Sequence, residues 1–280
     1  MTSVIAVVNQ KGGVGKTTTT VNLSTSLALK GLKVLVVDLD PQGNCSSSFG
    51  VEKESLSRHA YHLLLGHASL GEVIVGTALE GLSLIPTNTD LAGAEIELVS
   101  EMGRESRLKE ALEPHLRDYD VVLMDCPPSL GLITLNALTA STGVLVPLQC
   151  EYFALEGVSQ LLRTLELVQA RINPRVSLSG VILTMFDRRN KLTFQVQEEV
   201  EAFFGEAVFK TTIPRNVKLS ESPSHGMPVA LYDSRSSGAR AYEQLADEFI
   251  ERCLPSVASA LSLREGGGAK RAKGAKRGPQ

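Results

Sequence analysis

Cysteine is scarce in this sequence. Cys45, Cys126, Cys150 and Cys253 are the only four, and no two are spaced Cys-x-x-Cys. That pattern excludes a zinc ribbon, a dithiol redox pair and a disulfide scaffold, and it fits a reducing compartment. No apolar run approaches the ~18 residues of a membrane span. The opening Met1-Thr2-Ser3-Val4 lacks the basic stretch that starts a secretory leader. A cytoplasmic protein is therefore expected. There is also no internal repeat and no Pro/Gly/Ser-rich linker that would split the chain into two units. An overall excess of basic charge is missing as well, since the net formal charge is −3. That average hides an asymmetry. Six basic residues and one acid, Glu265, lie between Arg264 and Gln280, so this end carries +5 and the preceding body −8.

What remains is an ordinary globular composition, 43% hydrophobic and 21% charged over 280 residues, enough chain to bury one large core. Val4-Ile5-Ala6-Val7-Val8 is a β-branched apolar run without alternation, the signature of a strand covered on both faces. A Gly-rich turn follows it, then helical spacing from Thr17 to Lys30 with Gly31 as the stop, and then a second buried strand, Val34-Leu35-Val36-Val37. Similar runs recur at Leu82–Ile85, Val121–Met124, Val144–Val146 and Val181–Thr184. Helical segments lie around 91–112, 130–140, 155–171 and 192–204, and again from about Ser236 to Leu263. This alternation predicts a single α/β domain, residues 1–263, with a doubly wound, mostly parallel sheet of the P-loop NTPase type. The Gly/Ala/Lys/Arg-rich remainder, residues 264–280, predicts a disordered basic tail.

The chemistry is concentrated in Lys11-Gly12-Gly13-Val14-Gly15-Lys16-Thr17-Thr18. The strict G-x-x-x-x-G-K-[ST] pattern fails, because Gln10 stands at its first position. The placement between a buried strand and a helix nevertheless marks a phosphate-binding loop. Glycines let successive backbone N–H groups turn inward around phosphate oxygens, and the helix start adds its dipole. Lys16 is then expected on the outer phosphates of ATP and the Thr17 hydroxyl on Mg²⁺. Asp38 and Asp40 close the second strand. Being two apart, they face the same way, toward the sheet edge where ligands bind in such folds. Asp40 is the candidate to orient the attacking water, and Asp38 a second-shell magnesium or structural residue. Asp125 ends the run Val121–Met124 in the manner of a Walker B strand and is expected to hold Mg²⁺ through water.

These stretches are specific enough to carry a resemblance. Asn9 through Thr18, Asp38-Leu39-Asp40-Pro41-Gln42-Gly43-Asn44, Asp125 through Gly131, Pro147 through Gly157, and Ile213-Pro214-Arg215-Asn216 through Gly226 resemble the chromosomal ParA/Soj partition ATPases. Those belong to the deviant Walker A (MinD/ParA) family. The resemblance runs over about residues 2–250. It implies that Lys11, the extra lysine at the loop start, crosses a homodimer interface to the partner's nucleotide and that ATP bridges the dimer. It implies adenine contacts at Pro214 and Asn216. Non-specific binding of the ATP dimer to double-stranded DNA is implied too, with Arg188, Arg189, Lys191, Arg215 and Lys218 as candidate contacts. A ParB-like partner that stimulates hydrolysis and a nucleoid-associated location in the cytoplasm complete the expectation. With the loop beginning at residue 9, no N-terminal helix-turn-helix domain is expected. The basic tail departs from the family's compact ending and reads as an added flexible DNA contact, or else as a solubility tail.

Other readings stay in view. A MinD-like, membrane-recruited ATPase would need a C-terminal amphipathic helix, and the Gly/Ala/Lys/Arg end has no large apolar residues. An amidoligase-like enzyme would need a second substrate pocket, an iron protein a cysteine-held cluster, and a nucleotide-gated scaffold would bind DNA with little turnover. His59, His62 and His67 cluster in the sequence but read as surface or core residues rather than metal ligands, and Cys126 as a small buried residue.

Overall fold

The computed structural model describes residues 2–151 and 154–259. The basic tail and the last residues of the expected final helix lie outside the described residues, as do Tyr152 and Phe153. Seven strands form one sheet: β1 (Ser3–Val7), β2 (Val34–Asp38), β3 (Val75–Gly76), β4 (Leu82–Ile85), β5 (Val121–Asp125), β6 (Gly143–Gln149) and β7 (Ser177–Thr184). Their order is β3-β4-β2-β5-β1-β6-β7. Every pairing is parallel except β3 with β4. The helices on the two faces of the sheet and at the rim of its crevice include α1 (Lys16–Leu29), α2 (Asn44–Ser48), α3 (Leu91–Glu97), α4 (Leu132–Ala140), α5 (Ala154–Arg171), α6 (Lys191–Phe204), α7 (Val217–Glu221) and α8 (Ser237–Cys253).

The unalternating strand sequences follow from coverage on both sides. Val4 and Ala6 of β1, with Val122 and Met124 of β5, face one core, into which α3, α4, α5 and α6 pack Leu91, Ile133, Leu161 and Val196. Ile5 and Val7, with Val121 and Leu123, face the other, filled by Leu23 and Leu27 of α1 and by Tyr242, Leu245 and Phe249 of α8. Burying a side chain of this size stabilises the fold by roughly 1.5–3 kcal/mol.

β5 inserts between β1 and β2, so the register sets Asp125 beside Val7 on one flank and beside Asp38 on the other. β6 and β7 lie on the far side of β1. The direction of winding therefore reverses at β1, and a crevice opens at the carboxyl ends of the strands there.

Two expectations need correction. The helical stretch around 91–112 is broken: α3 ends in a tight turn at Leu98–Ser100, and a second helix begins at Arg107. Gly103 takes φ 66° between them. The Asn136 amide binds the loop instead, accepting from Leu108 N at 3.1 Å and donating to Arg104 O at 2.7 Å. The final helical stretch is interrupted rather than continuous: α8 stops at Cys253, Leu254 before Pro255 breaks it, and residues 255–259 are helical again. The antiparallel edge β3 has no counterpart in the sequence reading, because two residues carry no periodicity.

Candidate nucleotide and magnesium site

The loop between β1 and α1 is fixed from below by Asn9. Its buried amide accepts from Lys11 N at 3.0 Å and donates to Pro147 O at 2.8 Å. Gly13 and Gly15 take φ of 74° and 91°, a region where an L side chain is strained. Val14 between them is buried, and its carbonyl accepts from Thr184 Oγ1 at 2.8 Å. The loop is thus tied to the end of β7. Gly15 caps α1 without a side chain, and no acid stands in the helix's first turn, so the amide groups there remain available to an anion.

The two lysines of the loop are placed differently. Lys16 is 7% exposed, and its Nζ donates to Lys11 O at 3.3 Å. Burial pulls its pKa down, against the opposing pull of Asp125 and Asp40. Lys11 points outward, its side chain 42% exposed, and its Nζ meets Glu151 Oε2 at 2.5 Å. Gln149 holds the other oxygen of Glu151 at 2.6 Å.

Asp38 and Asp125 are both 0% exposed. Asp38 is fully engaged: one oxygen accepts from Ser46 N and Oγ at 2.8 and 2.6 Å, the other from Asp40 N at 3.2 Å. Burial raises its pKa to about 7 despite these donors. Asp125 is raised by burial and then by its neighbour Asp38. Its Oδ1 accepts from Thr20 Oγ1 at 3.3 Å, and the nearby Thr17 hydroxyl works against the rise. Its Oδ2 has no partner among the described residues. A buried carboxylate oxygen left unpaired is costly, and here it belongs to a strand-end aspartate that sits beside Asp38 and is approached by threonines at the start of α1. That donor set, hard oxygens only, fits Mg²⁺. Asp40 is partly exposed; its Oδ1 accepts from Gln42 N at 3.0 Å, which shapes the turn before α2.

Pro214 pairs with Phe186 in an isolated parallel bridge, two residues past Thr184. The segment of Pro214 and Asn216 thus follows the end of β7, whose Thr184 touches the phosphate loop. Asn216 caps α7, accepting from Lys218 N at 2.9 Å, and donates to Ser237 Oγ at 2.7 Å. The basic candidates gather around the same end of β7. Arg189 pairs with Asp187 at 3.1 Å, and Lys218 with Glu221 at 2.9 Å. Arg188, Lys191 and Arg215 are exposed and form no ion pair among the described residues.

Sequence reasoning missed Thr184 and Ser46. Thr184 carried a usable signal, a hydroxyl at the carboxyl end of a buried run; a serine among the serines of α2 carried none. No group of three metal-ligating side chains occurs among the described residues, so the histidine cluster is not one. His59 instead lies buried with Nε2 3.5 Å from Asp90. Burial pushes the Cys126 thiol far up, and no described helix is long and apolar enough to cross a membrane.

A glycine-rich loop on a β1–α1 turn, a buried lysine within it and an aspartate on the adjacent strand define a P-loop ATPase. Comparison with known proteins narrows the class. The family model described as "AAA domain" matches residues 2–178. The chain is 55% identical over 248 residues to the sporulation initiation inhibitor protein Soj of Bacillus subtilis (strain 168), covering 89% of this chain and 98% of that protein. It is 50% identical over 252 residues to the chromosome-partitioning ATPase Soj of Treponema pallidum (strain Nichols), covering 90% and 98%. Among solved structures, one named cobyrinic acid a,c-diamide synthase from Mycobacterium smegmatis, with bound ADP and magnesium, superposes with a TM-score of 0.78. That structure is 44% identical, over 88% of this chain and 93% of that one. The chain belongs to the Soj/ParA family of chromosome-partitioning ATPases. The Mycobacterium structure holds ADP and magnesium, and the Treponema relative is named as an ATPase.

Proposed function

We propose that this protein is a DNA-partition ATPase that works as an ATP-bridged homodimer, and that Lys11 acts on the nucleotide held by the partner subunit. The observation that carries this reading is the contrast between the two loop lysines: Lys16 is buried in its own loop, whereas Lys11 is held only at the surface by an equally exposed carboxylate, Glu151. A surface ion pair is worth about 0–1 kcal/mol, so an incoming triphosphate can displace it. Lys16 and the amides of Gly13–Thr17 hold the β- and γ-phosphates. When bound, Mg²⁺ would neutralise charge on those phosphates. Thr17 and Asp125 would hold it, with Asp38, the register partner of Asp125, beside them. Asp40 orients the attacking water; its partly exposed carboxylate accepts from Gln42 N. Lys11, arriving from the other subunit, meets charge that develops on the transferred phosphoryl group.

In this reading the ATP dimer binds double-stranded DNA without sequence preference. Arg188, Lys191 and Arg215 make the first contacts, and Arg189 and Lys218 join them once their partners Asp187 and Glu221 give way to phosphate. A ParB-like partner stimulates hydrolysis, which releases the dimer from the nucleoid. Gel shifts on random DNA test this: retardation with ATP but not with ADP supports the reading, and equal retardation with ATP, ADP or no nucleotide defeats it.

The name of the Mycobacterium structure raises amide synthesis as a second reading. It is the weaker one. The partition relatives are more similar, at 55% and 50% against 44% identity. A cleft of about 910 Å³ between Thr2, Lys109, Tyr119 and Arg175 opens at the amino ends of the strands, away from the phosphate loop.

A further inference from the structure

The chain segment that carries Asp125 away from the sheet runs through Cys126-Pro127-Pro128-Ser129-Leu130-Gly131 into α4. Near its start it is held by Cys126 N, which donates to Val7 O at 3.3 Å. At its far end the holding group comes from another element. The Glu95 carboxylate of α3 accepts from Leu132 N at 2.9 Å and from Ile133 N at 3.2 Å, one oxygen to each. Gly131 stands at the cap position of α4 with no side chain to offer, so Glu95 supplies the missing cap from outside. Negative charge there also meets the positive end of the helix dipole.

Gly131 is not required by its backbone. Its φ is −87°, open to any residue. What excludes a side chain is Glu95: a Cβ at 131 would lie 2.4 and 2.6 Å from the two carboxylate oxygens. The glycine and the glutamate are thus two halves of one contact. α3 is itself rigidly seated, with Leu91 and Ala94 at 0% exposure and Tyr61 Oη donating to Glu97 Oε1 at 2.8 Å. A second bond, from Thr134 Oγ1 to Ser129 O at 2.6 Å, closes the loop onto the first turn of α4.

We infer that Glu95 is a positioning residue for hydrolysis: by clasping the start of α4 across Gly131, it fixes the loop behind Asp125 and hence the buried, unpaired Asp125 Oδ2 assigned to magnesium. This rests on the reading of Asp125 as the magnesium residue. Such a group acts on metal use rather than on nucleotide binding as such. Outer partners of metal sites change metal affinity or activity by about 10–100-fold when removed.

The test is magnesium-dependent ATP hydrolysis by the purified full chain, with ADP affinity in EDTA measured alongside. Glu95→Ala is expected to raise half-saturating Mg²⁺ about tenfold and to lower kcat, leaving ADP affinity in EDTA unchanged. Glu95→Gln, which keeps one acceptor, falls between. Gly131→Ala pushes on the same contact from the other side and reproduces the effect; in the Glu95→Ala background it adds little, because the clashing carboxylate is gone. A residue with only a structural role would lower Tm and the active fraction without moving half-saturating Mg²⁺. An unchanged magnesium requirement in both Glu95→Ala and Gly131→Ala, with additive losses in the double variant, overturns the inference. If instead Asp125→Asn leaves the magnesium requirement of an otherwise wild-type chain unaltered, the underlying assignment of Asp125 has failed, and the inference falls with it.

Discussion

Replacing Asp125 by asparagine should make the nucleotide-free protein more stable while abolishing magnesium-dependent hydrolysis. The two carboxylates Asp38 and Asp125 are register partners on adjacent strands, both fully buried, and Asp125 Oδ2 has no partner among the described residues. With Asp38 raised to about 7 by burial, against an ordinary value near 3.9, ionising it in the folded state costs about 4 kcal/mol at most. Asp125 is raised as well, and Asp38 is the largest single charge acting on it. Asparagine keeps an acceptor for Thr20 and removes the like charge, so a gain of about 1–3 kcal/mol is expected. Near this chain length that moves Tm by about 2–4 °C per kcal/mol.

The sign follows from linkage. A carboxylate whose folded pKa lies above its unfolded pKa favours the fold fully below the unfolded value, and that advantage is lost as pH rises through the folded value. The wild type should therefore lose stability between about pH 4 and 7, and the advantage of Asp125→Asn should widen over the same range. Thermal or urea denaturation in EDTA, at pH 5 and pH 8, measures both. Adding Mg-ATP should stabilise the wild type and do much less for the variant. If Asp125→Asn is less stable than wild type at pH 8 in EDTA, Asp125 is not an uncompensated buried charge, and a magnesium site at this position loses its physical basis.

Thr184→Val removes the hydroxyl that holds Val14 O and should weaken nucleotide binding by about 0.5–1.5 kcal/mol, read by calorimetry with ADP; unchanged affinity would show that the β7 tether does not shape the phosphate loop. Lys16→Ala should reduce ATP turnover at least about 100-fold in a phosphate-release assay, with little change in Tm, since burial of its ammonium is a cost in the free protein. Charge reversal at Arg188 and Lys191 should flatten the dependence of log K on log salt for random DNA by about one unit per lost phosphate contact without altering hydrolysis in the absence of DNA; an unaltered slope would place the DNA face elsewhere.

Much of this site was legible in the sequence because its parts are local. The glycines, Lys16 and Thr17 form one loop between a strand and a helix, and the β-branched runs fixed which strands are buried on both faces. Asp38 and Asp125 could be placed at strand ends, but their adjacency needed the strand order, since β5 lies between β1 and β2 only in space. The contacts that escaped notice join residues far apart in the chain: Thr184 to Val14, Ser46 to Asp38, and Glu95 to Leu132. Each is a single polar side chain with no periodicity to announce it. The break after α3 escaped for a related reason, because the Asn136 amide satisfies backbone groups that a continuous helix would have paired internally.

The central claim is that Lys11 leaves Glu151 to serve the nucleotide of a second copy. The most direct measurement is the molar mass in solution, by light scattering or sedimentation, of the Asp40→Ala variant at saturating Mg-ATP, beside the double variant with Lys11→Ala. A dimer with ATP, a monomer with ADP, and a monomer in either nucleotide once Lys11 is removed is the predicted outcome. A monomer with ATP in the single variant, or a dimer that persists without Lys11, would contradict it.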